Sequence, residues 1–170
     1  MKPLTLSLSI LSTFALSSPT FADLKDEFIE GAPKDRFVMT NIGDCALGNG
    51  QFEIDSTGSS AGLIFDVTNE GASVEVFQPF EVTAGAENLT AQPTITDGDR
   101  RAMLDLAGLG VNETIAFTID VDDTIGTRAI TVADGEISGT TVSLHTGGST
   151  FSAMMEVGAQ VLLTTPNCDA

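Results

Sequence analysis

The chain has 170 residues, with 24 acidic against 7 basic side chains, a formal net charge of −17, and neither Trp nor Tyr. A field of that sign repels nucleic acid and anionic membrane surfaces, so both are excluded as partners, while cations, basic surfaces and water are favoured. The absent aromatics also remove the usual stacking platforms for sugars and the Trp of antibody-type cores.

The chain opens on Lys2, an apolar run from Leu4 to Leu16 broken only by Ser and Thr, and a small-residue exit at Thr20-Phe21-Ala22. That order reads as an export signal cut after Ala22. The run falls short of the roughly 18 apolar residues a membrane span needs, and no later stretch reaches that length. The expectation is therefore a signal peptide over residues 1–22, a single domain over 23–170 with no membrane span, and a secreted or periplasmic product. Without Lys2, six basic side chains (Lys25, Lys34, Arg36, Arg100, Arg101, Arg128) face the 24 acids.

Asp23 to Pro33 reads as a loose N-terminal arm. Beyond it, apolar and polar residues alternate in Arg36–Thr40, Gln51–Asp55, Ser73–Phe77 and Thr114–Val121, the period of half-buried strands, and Leu63–Val67 reads as a further strand. Turn clusters punctuate them at Asn41–Asp44, Asn69–Gly71, Asp97-Gly98, Ala107–Gly110, Asp134-Gly135 and Gly147-Gly148. Pro79 and Pro93 mark strand ends, and Ala153–Gly158 fits a helix or a strand equally well. Punctuation near every ten residues predicts an all-β domain, a single immunoglobulin-like β-sandwich. Two stretches favour that type over a barrel: a strand ending in Thr40–Gly43, and the loop Leu109–Glu113 opening a long strand at Thr114. In an exported chain the two cysteines, Cys45 and Cys168, are expected to form one disulfide. A loop of that length stabilises by up to about 4–5 kcal/mol on the chain-entropy model.

The most informative run is Phe117–Thr124. As a strand it sets Ile115, Phe117, Ile119 and Val121 on one side and Asp120 and Asp122 on the other, roughly 6.6–6.8 Å apart, with Asp123 at the turn. Three carboxylates so close repel unless a cation sits among them, and hard oxygen ligands suit Ca²⁺ rather than Zn²⁺. The candidate metal residues are Asp120, Asp122 and Asp123, with weaker contributions from Asp97 and Asp99, and Asp134-Gly-Glu136 as a further turn of the same kind. The plain alternative is solvation, or pairing with Arg100, Arg101 or Arg128. The EF-hand loop is excluded, because Ile125 and Thr131 stand where Gly and Glu belong. A site of this kind would bind at about 10⁻⁴–10⁻³ M.

Gly58–Gly62 matches G-x-S-x-G, with Ser60 as nucleophile and His145 as the one available base, but a strand follows where the elbow needs a helix. Gly108-Leu-Gly110 fails the dinucleotide fingerprint because Glu113 replaces the third glycine. No catalytic residue is assigned and the chain is read as a non-enzyme.

Four strings, Gly31–Phe37, Gly62–Asp66, Glu75–Glu81 and Phe117–Thr124, resemble secreted proteins of marine alphaproteobacteria labelled "aggregation factor core". The resemblance implies an extracellular, adhesive, non-enzymatic role. The expected function is a secreted sandwich module with an adhesion or aggregation-type role, assisted by Ca²⁺ and binding an extracellular macromolecule or surface. The alternatives are a structural envelope or matrix protein without metal and, third, a small secreted hydrolase.

Overall fold

The computed structural model describes residues 22–70, 76–125 and 131–165. Eleven strands are assigned among them: β1 Leu24–Ile29, β2 Asp35–Asn41, β3 Gly50–Asp55, β4 Ile64–Phe65, β5 Glu81–Ala84, β6 Arg101–Leu106, β7 Thr114–Ile119, β8 Val121–Asp122, β9 Thr141–Thr146, β10 Ser149–Met154 and β11 Gln160–Leu163. They form a five-stranded sheet in the order β11-β1-β2-β7-β5, a four-stranded sheet β10-β9-β3-β6, and the short pair β4-β8. All pairings are antiparallel. Among the described residues no helix is long and apolar enough to cross a membrane.

Alternation decides which side chains are buried. On the five-stranded sheet Phe28, Phe37 and Phe117 lie opposite one another in register, with ring centroids 5.2 and 5.3 Å apart, and Phe80 caps the row at 4.9 Å from Phe117. The four-stranded sheet answers with the rows Phe151–Leu144–Phe52–Leu104 and Ala153–Val142–Ile54–Ala102. Both sets join one apolar cluster, so the two larger sheets share a core in the manner of a β-sandwich. Burial of these side chains is the main favourable term, at about 25 cal/mol per Å² of apolar surface removed from water.

The segment expected to be a loose arm is a central strand. β1 lies between β11 and β2, and Leu24, Asp26 and Phe28 point inward. The period was hidden because the middle inward position carries an acid. Ala153–Gly158 resolves into the end of β10 followed by a turn. The strand expected at Ser73–Phe77 falls mostly outside the described residues, as do Cys168, Arg128 and all but Ala22 of the expected leader. Ala22 is buried, and its carbonyl accepts a 2.5 Å bond from the Thr165 hydroxyl. Cys45 is partly buried against the core and is not free.

Candidate functional site

The expected carboxylate run sits where one continuous stretch of chain changes sheets. β7 ends at Ile119 against Asp35 of β2, and two residues later β8 pairs with β4, Val121 opposite Phe65 and Asp122 opposite Ile64. The Asp66 amide donates to the Asp120 carbonyl at 3.0 Å, which fixes Asp66 beside the junction. Gly62 holds the neighbouring turn. At φ 66° it needs the left-handed region, and its carbonyl accepts the Thr124 hydroxyl at 2.6 Å. The amides of Thr124 and Ile125 both donate to the Ala61 carbonyl at 3.0 Å, which anchors the chain just past Asp123.

Strand alternation predicted that Asp120 and Asp122 would face away from the core. Instead both are buried, Asp120 at 5% exposure, where the chain leaves the five-stranded sheet and pairs with β4. Asp123 is buried as well. Two acids that the local motif did not include join them: Asp35 at the start of β2 and Asp66 after β4, both buried. Neither stands near Asp120 in sequence. The signal for Asp35 was its inward parity with Phe37 and Met39.

The electrostatics follow from crowding. Burial, reinforced by repulsion from Asp122, Asp35 and Asp66, pushes the Asp120 carboxyl up to about 7 against a weaker pull from the Val121 amide. Burial also raises Asp35 to about 7, opposed by amide donations from Gly31 and Val121, both at 3.1 Å, and supported by Glu30 and Asp122. Asp120 Oδ2 is buried with no hydrogen-bond partner. Among the described residues no Lys or Arg pairs with Asp35 or Asp120. Lys25 pairs with Glu27, Lys34 with Glu81, and Arg101 with Asp55 and, at 3.7 Å, Glu53. As the side chains stand, no three carboxylate, imidazole or thiol groups among the described residues are placed to hold a metal ion.

Asp97 and Asp99 serve the adjoining turn. Asp97 accepts from the amides of Val67 and Thr68, both at 2.8 Å, and from the Thr68 hydroxyl. Slight burial raises its carboxyl, but these donors outweigh it and hold Asp97 below the usual range. Asp99 accepts from the Thr96 amide and hydroxyl, both at 2.7 Å. Asp134 is exposed. Ser60 donates to the carbonyls of Gly135 at 2.9 Å and Glu136 at 3.2 Å, and its amide bonds Ser138, just before β9. His145 stands at the far end of β9, against Thr150 at 2.9 Å and Glu53 at 3.4 Å. The two are not brought together, and a 3₁₀ turn, Ser56–Gly58, rather than a strand precedes Ser60.

Comparison with family models, curated proteins and solved structures finds no match.

Proposed function

We propose that this is a secreted or periplasmic, non-enzymatic binding module of immunoglobulin-like type, joined by a Cys45–Cys168 disulfide. It would serve an adhesion or aggregation role like that of the "aggregation factor core" proteins it resembles. Its partner is an extracellular macromolecule or surface, and Ca²⁺ taken up at the β7–β8 junction stiffens it for binding. Asp120 would be the first ligand, with Asp122, Asp123, Asp35 and Asp66 as the oxygens within reach of a small rearrangement. The single observation behind this reading is the Asp120 carboxylate: 5% exposed, one oxygen without a donor, and pressed by three other acids. A buried anion in that position is stabilised by a proton or by a cation.

The test is thermal unfolding and calorimetric titration of the mature protein with CaCl₂, with MgCl₂ as control. At about 10 mM Ca²⁺ a site of 10⁻⁴–10⁻³ M adds roughly 1.4–2.7 kcal/mol, a shift of several degrees. Asp120→Asn should abolish that response. No heat and an unchanged Tm would remove the metal and favour the second reading, a structural envelope or matrix module whose junction is neutralised by protons.

A further inference from the structure

We infer that β10 is a self-pairing edge, through which two copies of this chain join their four-stranded sheets antiparallel across a two-fold axis at Ser152. The inference is independent of the carboxylate junction. It begins with the β10–β9 ladder. The Met155 amide donates to the Thr140 carbonyl at 2.8 Å and the Met155 carbonyl accepts from the Gly139 amide at 3.0 Å, so both backbone groups of Met155 point toward the segment that leads into β9. Pairs alternate along an antiparallel ladder, so Ala153, Phe151 and Ser149 bond β9 while Met154, Ser152 and Thr150 occupy the close, non-bonded positions. Side chains agree: Ser143 and Ser152 hydroxyls meet at 2.8 Å, and His145 meets Thr150 at 2.9 Å. The backbone N–H and C=O groups of Thr150, Ser152 and Met154 therefore point away from β9, and among the described residues no strand pairs with that edge.

The other edges are managed. β6 is bridged through Leu89, with Thr90 donating to the Asp105 carbonyl and Ala107 to the Asn88 carbonyl, both at 2.8 Å. β5 is short, irregular between Val82 and Ala84, and carries Glu81. β11 has four residues. β10 has six, with no proline and no charge, and no charged residue stands anywhere from Gly147 to Met155. Natural proteins rarely leave such an edge unprotected.

Charge selects the occupant. Two molecules of net charge −17 repel over most of their surfaces, and an acid-free edge is where they can approach. The sequence is also self-complementary about Ser152. Thr150 falls opposite Met154 of the second copy, Phe151 opposite Ala153, and Glu156 opposite Gly148, so no like charges face each other. Each copy offers three N–H and three C=O groups, which pair completely in this register. Met154, 60% exposed, would be covered in the process.

Sedimentation equilibrium of the mature protein is the test, at physiological salt and at about 1 M NaCl, where the screening length falls to roughly 3 Å. The expected result is a dimer that tightens in high salt, with amides of Thr150, Ser152 and Met154 protected from hydrogen exchange in the dimer. Ser152→Asp places two carboxylates at the dyad, and Ser152→Pro removes an N–H that β9 does not use. Each should weaken the dimer by roughly tenfold or more with the β-sheet circular dichroism retained. A monomer under every condition, a dimer that neither variant weakens, or protection of these amides only when a different protein is added would each overturn the inference. The exchange measurement on the unaltered chain decides the matter even if a variant fails to fold.

Discussion

Asp26 and Asp120 are both carboxyls withdrawn from water, yet their surroundings differ in kind. Asp26 is the one acid in its inward row on the five-stranded sheet, Val161–Asp26–Met39–Ile115, facing a second sheet whose inward rows are apolar. Neither of its oxygens makes a hydrogen bond of good geometry, and burial, with a smaller push from the Glu27 carboxylate, raises it to about 8 against a weaker pull from the Glu27 amide. Asp120 sits among Asp35, Asp66 and Asp122 where the chain passes from one sheet to another. A buried acid with no other acid in its row is relieved by one proton. A crowd of acids can be relieved by a proton or by a cation, because several oxygens can turn toward one ion. Asn41, two positions along the same inward face from Met39, shows a third solution, since its amide bonds the carbonyls of Cys45 at 2.8 Å and Leu109 at 3.0 Å and accepts from Gly43 at 3.0 Å.

The largest effect should come from breaking the solitary case. A raised folded-state value means that stability is fullest below the unfolded value near 3.8 and is lost as pH rises toward about 8, at roughly 1.4 kcal/mol per pH unit. Asp26→Asn should therefore raise the denaturation midpoint strongly at pH 8, by the equivalent of several kcal/mol, and little at pH 4. A gain that does not depend on pH would break the contrast. At the junction, Asp120→Asn should raise the metal-free Tm at neutral pH by a few degrees, because one like charge leaves the group. An unchanged or lowered Tm, read by differential scanning calorimetry in chelator, would mean that the acids do not strain the fold. Third, Asp97→Ala should cost about 1–2 kcal/mol at neutral pH through the lost turn bonds, with any Ca²⁺ response intact. Its pH sign is opposite to that of Asp26, since a depressed carboxyl stabilises above its unfolded value and loses that contribution as pH falls. Chemical denaturation at pH 7 and pH 3 separates the two. Smallest of all, Ser60→Ala should shift stability by under about 1 kcal/mol, because the hydroxyl makes only exposed bonds to loop carbonyls.

Of the strands read from period-two alternation, Arg36–Thr40 lies within β2 and Gln51–Asp55 within β3, while Thr114–Val121 divides into β7 and the start of β8. Two of the failures of alternation had an acid at an inward position. Asp26 disguised β1 as a loose arm. Asp120 and Asp122 looked outward because polar residues usually are, whereas both are buried where the chain changes sheets. The local motif could supply three acids of the junction but not Asp35 or Asp66, which long-range pairing brings in from two other strands. Asp97 and Asp99 were read for their charge, and their nearer role as acceptors for adjacent amides is a turn property.

The row of Phe28, Phe37, Phe117 and Phe80 has a practical consequence. In a chain without indole or phenol groups, these packed rings contribute to a near-ultraviolet dichroism that tryptophan and tyrosine do not mask. They lie between the rows that hold Asp26 and Asp35. Part of the optical signal of tertiary order in this molecule thus comes from the strip separating its two kinds of hidden acid, and a single engineered tryptophan elsewhere would fluoresce against a dark background.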